Sequence, residues 1–248
     1  MRPIANPAAR CYEMSTAANR QGLGGIIMLT VHHLNNSRSQ RVLWLLEELG
    51  VDYEIIRYQR QPDMRAPAEL RAVHPLGKSP VITDNGNTIA ESGAIAEYLI
   101  DTYGEGRLIP PPKTPERLRY SYWLHYAEGS AMPPLLLKLL FTLMPKRTPA
   151  LLRPLVRKVC NQALTTLVNP QLKQHMAFWE GELGKTQWFA GNEFTAADIQ
   201  MSFPLEAASA RAGLEQGHPK AIAWLERIHA RPAYARALEK GGPYTIGR

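Results

Sequence analysis

Between residues 109 and 116 the chain reads IPPPKTPE, and no regular element can run through it. Each proline fixes its own φ and lacks the N–H that a helix interior or a central strand needs, so three in succession break both. The stretch divides the chain, and the two sides carry different signals. Strand patterns occur before it, and helical patterns alone after it.

On the near side, MLTVHHL (Met28–Leu34) is short and rich in β-formers, which predicts a strand. From Ser39 the apolar residues Val42, Leu45, Leu46 and Leu49 recur at helical spacing and Gly50 ends the run. DYEIIRY (Asp52–Tyr58) is a second strand, and APAELRAV a weak helix. In PVITDNGNTIA, Val81–Thr83 and Thr88–Ala90 flank Asn85-Gly86, the dipeptide of a type I′ hairpin. SGAIAEYLIDTYG is a helix with Ser92 as its expected N-cap and Gly104 as its stop. The order βαβ, weak α, ββα is a thioredoxin-like layout, a mixed sheet covered by helices. On the far side Glu116–Gly129, Leu151–Leu183, Thr195–Gly213 and Pro219–Arg231 read as helices. The expected fold is α/β plus all-α: a thioredoxin-like domain over 28–108, a linker over 109–116 and a helical bundle over 117–248.

Residues 1–27 mix Pro, Gly, Asn and Ala without periodicity and are expected to be a disordered appendage. Arg2, Arg10 and Arg20 against Glu13 give them a faint transit-peptide character, and Met28 directly before the first strand offers an alternative start.

Composition removes several function classes. With 45% hydrophobic and 21% charged residues the chain can build a core. No apolar run reaches the roughly 20 residues of a membrane helix. The nearest candidate, PPLLLKLLFTLMP (Pro133–Pro145), carries Lys138 and reads as a buried or surface-docked helix. Cys11 and Cys160 stand far apart, without CxxC or Cys/His spacing, so neither a disulfide framework nor a metal site is expected and a reducing cytoplasm is. The net charge of +7 is uneven: no Asp or Glu lies between Glu128 and Glu180, where Lys138, Lys146, Arg147, Arg153, Arg157, Lys158 and Lys173 fall. A solvated face is the plain reading of that segment. Attraction of anionic substrates or of a membrane surface is the sharper one, with no motif behind the membrane reading. Nucleic acid is not expected, because no basic-aromatic motif accompanies the charge.

Three motifs carry more. FTAADI (Phe194–Ile199) is a capping box, with Thr195 and Asp198 exchanging hydrogen bonds and Phe194 stapling onto Ile199; its role is folding. HPLGKSPVI (His74–Ile82) sets Ser79-Pro80 at a strand start, the place where a sheet tolerates proline. AESGAI puts Glu91 and Ser92 at a helix N-terminus, where free amides favour a bound carboxylate. Between the first strand and helix, NNSRSQR (Asn36–Arg41 with Asn35) holds residues suited either to capping or to chemistry at a hydroxyl.

Together the SRSQR turn, HPLGKSPVI, ESGAIAEYL, the GNEFTAADI box and the closing ARPAYARAL resemble the glutathione transferase family over roughly Met28–Glu239, closest to a fungal and bacterial branch. That resemblance implies a homodimer with a thioredoxin-like and a helical domain, and glutathione as co-substrate. It places Ser37 as the hydroxyl that donates to the glutathione sulfur, with Asn36 and Ser39 as register alternatives; Ser39, at the helix start, is expected mainly to cap. It puts Lys78 at the glycyl end, the Ser79 backbone before Pro80 on the cysteinyl unit, and Glu91 and Ser92 on the γ-glutamyl amine and carboxylate. The electrophile site is expected between the domains, walled by Tyr122, His125 and Tyr126. The turn has no Cys, which argues against dithiol redox chemistry. The implied activity is conjugation of small electrophiles in detoxification, with peroxide reduction as a further activity. A non-catalytic interaction module and a glutathione-dependent isomerase or dehalogenase are the alternatives.

Overall fold

The computed structural model describes residues 29–61, 63, 65–244 and 246. The expectations for residues 1–27, Met28 and Cys11 lie outside them.

The first domain is a four-stranded mixed sheet in the order β2-β1-β3-β4. β1 (Thr30–Leu34) runs parallel to β2 (Glu54–Tyr58) and antiparallel to β3 (Val81–Asp84), which pairs antiparallel with β4 (Asn87–Ala90). Asn85 and Gly86 turn the hairpin with φ of 48° and 80°, the double positive φ that a type I′ turn requires. Helices α1 (Ser39–Leu49), α2 (Ala68–Val73) and α3 (Ser92–Tyr103) complete this thioredoxin-like unit. Gly50 ends α1 at φ 68°, donating its N–H to Leu46 O.

α4 (Pro115–Tyr126) opens the helical domain two residues inside the stretch read as linker. Pro115 suits the first turn, where its missing N–H costs nothing, and Thr114 Oγ1 accepts from Arg117 N. A π-helical turn, Ala127–Ala131, carries α4 into α5 (Met132–Arg147), whose first turn accommodates Pro133 and Pro134. α6 (Arg153–Ala163) returns alongside α5 and passes through a second π turn, Leu164–Val168, into α7 (Asn169–Leu183). α8 (Ala196–Ala212), α9 (Pro219–His229) and α10 (Pro232–Gly241) follow.

α8 is the central helix, buried on every side from Ala196 to Ala208. The expected capping box at Thr195 and Asp198 starts it. Phe194 packs into the core cluster that holds Ile199, its ring against Trp44 and Trp188. α10 then lies along α1 of the first domain. Trp44 meets Tyr234 edge-on at 5.1 Å, and Gly241 sits where a Cβ would fall 2.4 Å from Gln40 Oε1. Arg231 forks onto Glu48, and Arg236 and Lys240 both reach Glu47. α1 is thus sandwiched between its own sheet, α8 and α10, which is why almost the whole helix is buried rather than the single face its periodicity indicates.

Candidate active site

A cleft of about 550 Å³ opens where the sheet's β1 and β3 ends meet the π turn of the helical domain. Lys78, Ser79, Pro80, Glu91 and Ser92 all line it. The Ser79-Pro80 bond is cis, and Ser79 Oγ donates to His32 O at 3.0 Å. Glu91 stands at φ 70°, a conformation that a residue with a side chain holds only when its surroundings enforce it.

Ser37 is 5% exposed and sits immediately behind this wall, its Oγ 3.3 Å from Ser79 Oγ. Its second neighbour is Ser39 Oγ at 2.7 Å, and the Ser39 amide donates to Ser37 Oγ at 3.2 Å. Ser39 is fully buried and does not cap α1; Arg38 takes the N-cap position, and Ser39 Oγ lies 2.8 Å from His33 Nδ1. Burial and the nearby Arg57 push the His33 imidazole down to about 4, against a hydrogen bond to the Gly241 carbonyl. His33 is therefore neutral, carrying its proton on the nitrogen toward Gly241, and Nδ1 accepts the Ser39 hydroxyl proton. Ser39 then has only lone pairs to offer Ser37, whose proton points to Ser39 or Ser79. Asn36, at φ 50°, lines a separate small cavity with His33, Arg57 and Gly241.

Ser92 is not the N-cap of α3. Glu91 holds that position, and the Ser92 hydroxyl accepts from Arg41 Nη2 at 3.1 Å and from Gln200 Nε2 at 2.9 Å. Arg41, 3% exposed, also donates to Gln200 O and, at 2.5 Å, to Glu128 Oε1. Glu128 belongs to the π turn, reaches Arg38 Nε at 2.8 Å and lines the cleft. Burial pushes its carboxyl up, but Arg41 and Arg38 hold it below the usual range. Both guanidinium groups also lie over the Phe203 ring, at 5.0 and 5.4 Å. This network joins the two domains under the start of α3. The sequence reading missed it: Arg41 and Glu128 are far apart in the chain, and the one local hint was a charge next to the apolar run Val42–Leu46.

The helical wall of the cleft is Glu128 and Leu136, not the aromatic residues expected there. Tyr122 stacks on Tyr126 at 5.5 Å within a cluster with Trp123 and Phe178, and lines a different groove with Leu118 and Arg119. Tyr126 is buried with its hydroxyl on His175, and His125 is exposed on α4. The helical repeat turns these residues away, and the cleft is reached one turn later, at the π turn.

Arg38, Arg60, Arg65, Arg71 and Lys78 set five cationic side chains on the cleft against Glu91 and Glu128. The arrangement suits a small ligand with more carboxylates than ammonium groups. Among the described residues no cluster of His, Cys, Asp or Glu could hold a metal ion.

The chain matches two family models, described as glutathione S-transferase N-terminal domain over residues 28–101 and C-terminal domain over residues 143–232. It is 37% identical to glutathione S-transferase 3 of Schizosaccharomyces pombe over 219 residues, 88% of this chain and 90% of that one. To glutathione S-transferase 1 of Saccharomyces cerevisiae it is 32% identical over 222 residues, 86% and 95% of the two chains. A solved glutathione S-transferase from Actinobacillus pleuropneumoniae superposes with a TM-score of 0.71 at 33% identity, over 89% of this chain and 96% of that one.

Proposed function

The chain belongs to the glutathione S-transferase family, and we propose that its cleft binds glutathione and activates the thiol for attack on small electrophiles. The observation that carries this reading is the convergence on one cleft of the Lys78–Ser79–Pro80 turn, the Glu91–Ser92 start of α3 and, directly behind Ser79, the Ser37 hydroxyl.

The thiol needs help because its free pKa of ~8.5 leaves only a few per cent as thiolate at neutral pH. Lowering it by about two units requires roughly 2.7 kcal/mol of preference for the anion. Ser37, turning its proton from Ser39 to the sulfur, supplies one donor, and the N-terminal end of α1 a favourable dipole. The thiol gives up its proton to solvent water. The thiolate then attacks the electrophilic carbon, a carbon–sulfur bond forms, and the leaving group departs with its electron pair while Ser37 keeps its proton. Lys78 pairs with the glycyl carboxylate. Glu91 takes the γ-glutamyl ammonium. Ser92, backed by Arg41, takes the γ-glutamyl carboxylate.

Leu136 in the cleft, with Leu140 and Met144 following it along α5, supports apolar electrophiles. Peroxide reduction uses the same thiolate and belongs to this reading, as do a role in detoxification and a cytoplasmic setting. A homodimer belongs to it too, supported by the exposed groove of Leu118, Tyr122 and Phe178 on α4 and α7.

Glutathione is expected to raise the melting temperature, since a ligand that binds the folded state alone stabilises it by mass action. An unshifted melting temperature at millimolar glutathione would favour the non-catalytic module. A panel of aryl halides, epoxides, enals and hydroperoxides then separates conjugation, peroxide reduction and isomerase or dehalogenase chemistry.

A further inference from the structure

The hairpin of α5 and α6 carries an apolar stripe that the fold leaves bare. At the turn, Leu151 is 91% exposed and Leu152 53%. Leu155 and Val159 continue the stripe along α6 at 65% and 62%. Residues 152, 155 and 159 fall on one side of a helix, and Cys160, around the helix from them, is buried. A single exposed leucine is ordinary in a folded protein, but four apolar side chains on one stripe mark a contact surface.

Charge identifies the occupant. Between Glu128 and Glu180 the chain has seven Lys and Arg residues and no carboxylate. Lys146 and Arg147 close α5, and on α6 Lys158 stands beside the stripe, with Arg157 on the far side of the helix. Arg157 and Lys158 also border a shallow hollow with Asn161, Gln162 and Thr165, side chains that can donate to phosphate oxygens. A second copy meeting this face about a two-fold axis would bring cation against cation. The segment 1–27 is also cationic, with three arginines against one glutamate. Both occupants are disfavoured by the same sign of charge. An anionic lipid surface matches the leucines and the cations together.

We propose that the α5–α6 turn docks on membranes containing anionic lipids. Leu151, Leu152, Leu155 and Val159 enter the interfacial layer, and Lys146, Arg147 and Lys158 meet the headgroup phosphates. Docking is peripheral: among the described residues no helix is long and apolar enough to cross a membrane. α5 also carries Leu136 into the cleft, so docking sets the cleft about three helical turns from a phase that concentrates apolar electrophiles. That benefit rests on the transferase reading; the docking does not.

The test is sedimentation of the full chain with phosphatidylcholine vesicles and with phosphatidylcholine/phosphatidylserine vesicles, at low and high salt. Binding is expected to the phosphatidylserine vesicles alone and to weaken as salt rises. Leu151→Glu/Leu155→Glu is expected to cut that binding roughly tenfold or more, the loss of two leucines from the lipid phase. Circular dichroism and the melting shift with glutathione are expected to be the same in this variant as in the parent, which separates lost docking from lost folding. Absence of binding, equal binding to neutral vesicles, or undiminished binding by the variant overturns the proposal. So does a smaller oligomer for the variant in analytical ultracentrifugation, which makes the face a contact between copies. Vesicle binding that appears only after removal of residues 1–27 overturns it as well, since that segment then covers the stripe. Glutathione binding is scored separately, so failure of the transferase reading leaves the docking result standing.

Discussion

Ser37 Oγ and Ser39 Oγ lie 2.7 Å apart, one at the back of the cleft and the other fully buried. With Ser39 donating to His33, the pair is polarised in one direction, and Ser37 holds the proton that can turn to a sulfur. Ser37→Ala is expected to raise the pKa of bound glutathione and remove thiolate absorbance near neutral pH. Turnover should fall by one to a few orders of magnitude, at about 1.4 kcal/mol per tenfold, with glutathione affinity largely kept. Ser39→Ala leaves His33 Nδ1 without its donor and is expected to cost about 1–2 kcal/mol of stability with a smaller change in thiol acidity. An acidity effect confined to Ser39→Ala would move the active hydroxyl to the buried position.

His33 also sets a pH dependence. Its imidazole titrates near 6.5 in the unfolded chain and is pushed down to about 4 by burial and Arg57 in the folded one. From pH 6.5 down to about 4 the unfolded state binds the proton that the folded state refuses, so this contribution is present above 6.5 and lost as pH falls. It amounts to roughly 3 kcal/mol. Asp198 works in the opposite direction: burial pushes its carboxyl up to about 6, and its contribution is lost as pH rises through 6. The parent curve therefore blends the two. The difference in denaturant-derived stability between the parent and His33→Gln isolates the first, and should shrink as pH drops from 7 to 4. A difference that does not vary with pH would show that His33 is not held neutral.

Asp198 accepts from four donors: the Phe189 and Thr195 amides, the Thr195 hydroxyl and the Trp224 indole. A simple cap is worth about 1 kcal/mol. With four buried donors left open, Asp198→Ala is expected to cost about 3 kcal/mol or more. Calorimetry checks this, and the fraction that remains folded should still bind glutathione, since no part of the box touches the cleft.

Glu128→Gln leaves the Arg41 guanidinium buried without its carboxylate. The expected loss is about 2–3 kcal/mol, less than for a fully buried pair because the Glu128 side chain keeps 30% exposure. Glutathione affinity should fall as well, since Arg41 steadies the Ser92 hydroxyl. Isothermal titration beside a melting curve separates the two effects, and a variant that melts like the parent would place the charge of Arg41 elsewhere.

What could be read in the sequence was what neighbours along the chain decide. Gly50, Asn85-Gly86 and Thr195 with Asp198 each act through dihedrals or bonds a few residues away, and the elements begin and end there. Lys78, Ser79, Pro80, Glu91 and Ser92 were legible as a group because two short turns carry them. The Arg41–Glu128 bond was not, because it depends on how α1 meets a π turn from the other domain. Helical periodicity placed Tyr122 and Tyr126 on α4 but could not say which face sees the cleft. The sealing of α1 by α10 was equally hidden, since partners such as Glu47 and Lys240 lie 193 residues apart.

That seal bears on the order in which the protein is made. Ribosomes release the β1–α1 unit early, yet Leu43 and Trp44 are covered, and the His33 imidazole finds the Gly241 carbonyl, only after α10 has been synthesised. A nascent chain halted before Pro232 carries every residue proposed to handle glutathione and still leaves the Tyr234 side of Trp44 uncovered. The His33 imidazole, on which Ser39 and through it Ser37 are oriented, then lacks the Gly241 carbonyl. The β1–α1 unit is thus made early and sealed late, and the proposed thiol chemistry waits until translation has passed α10.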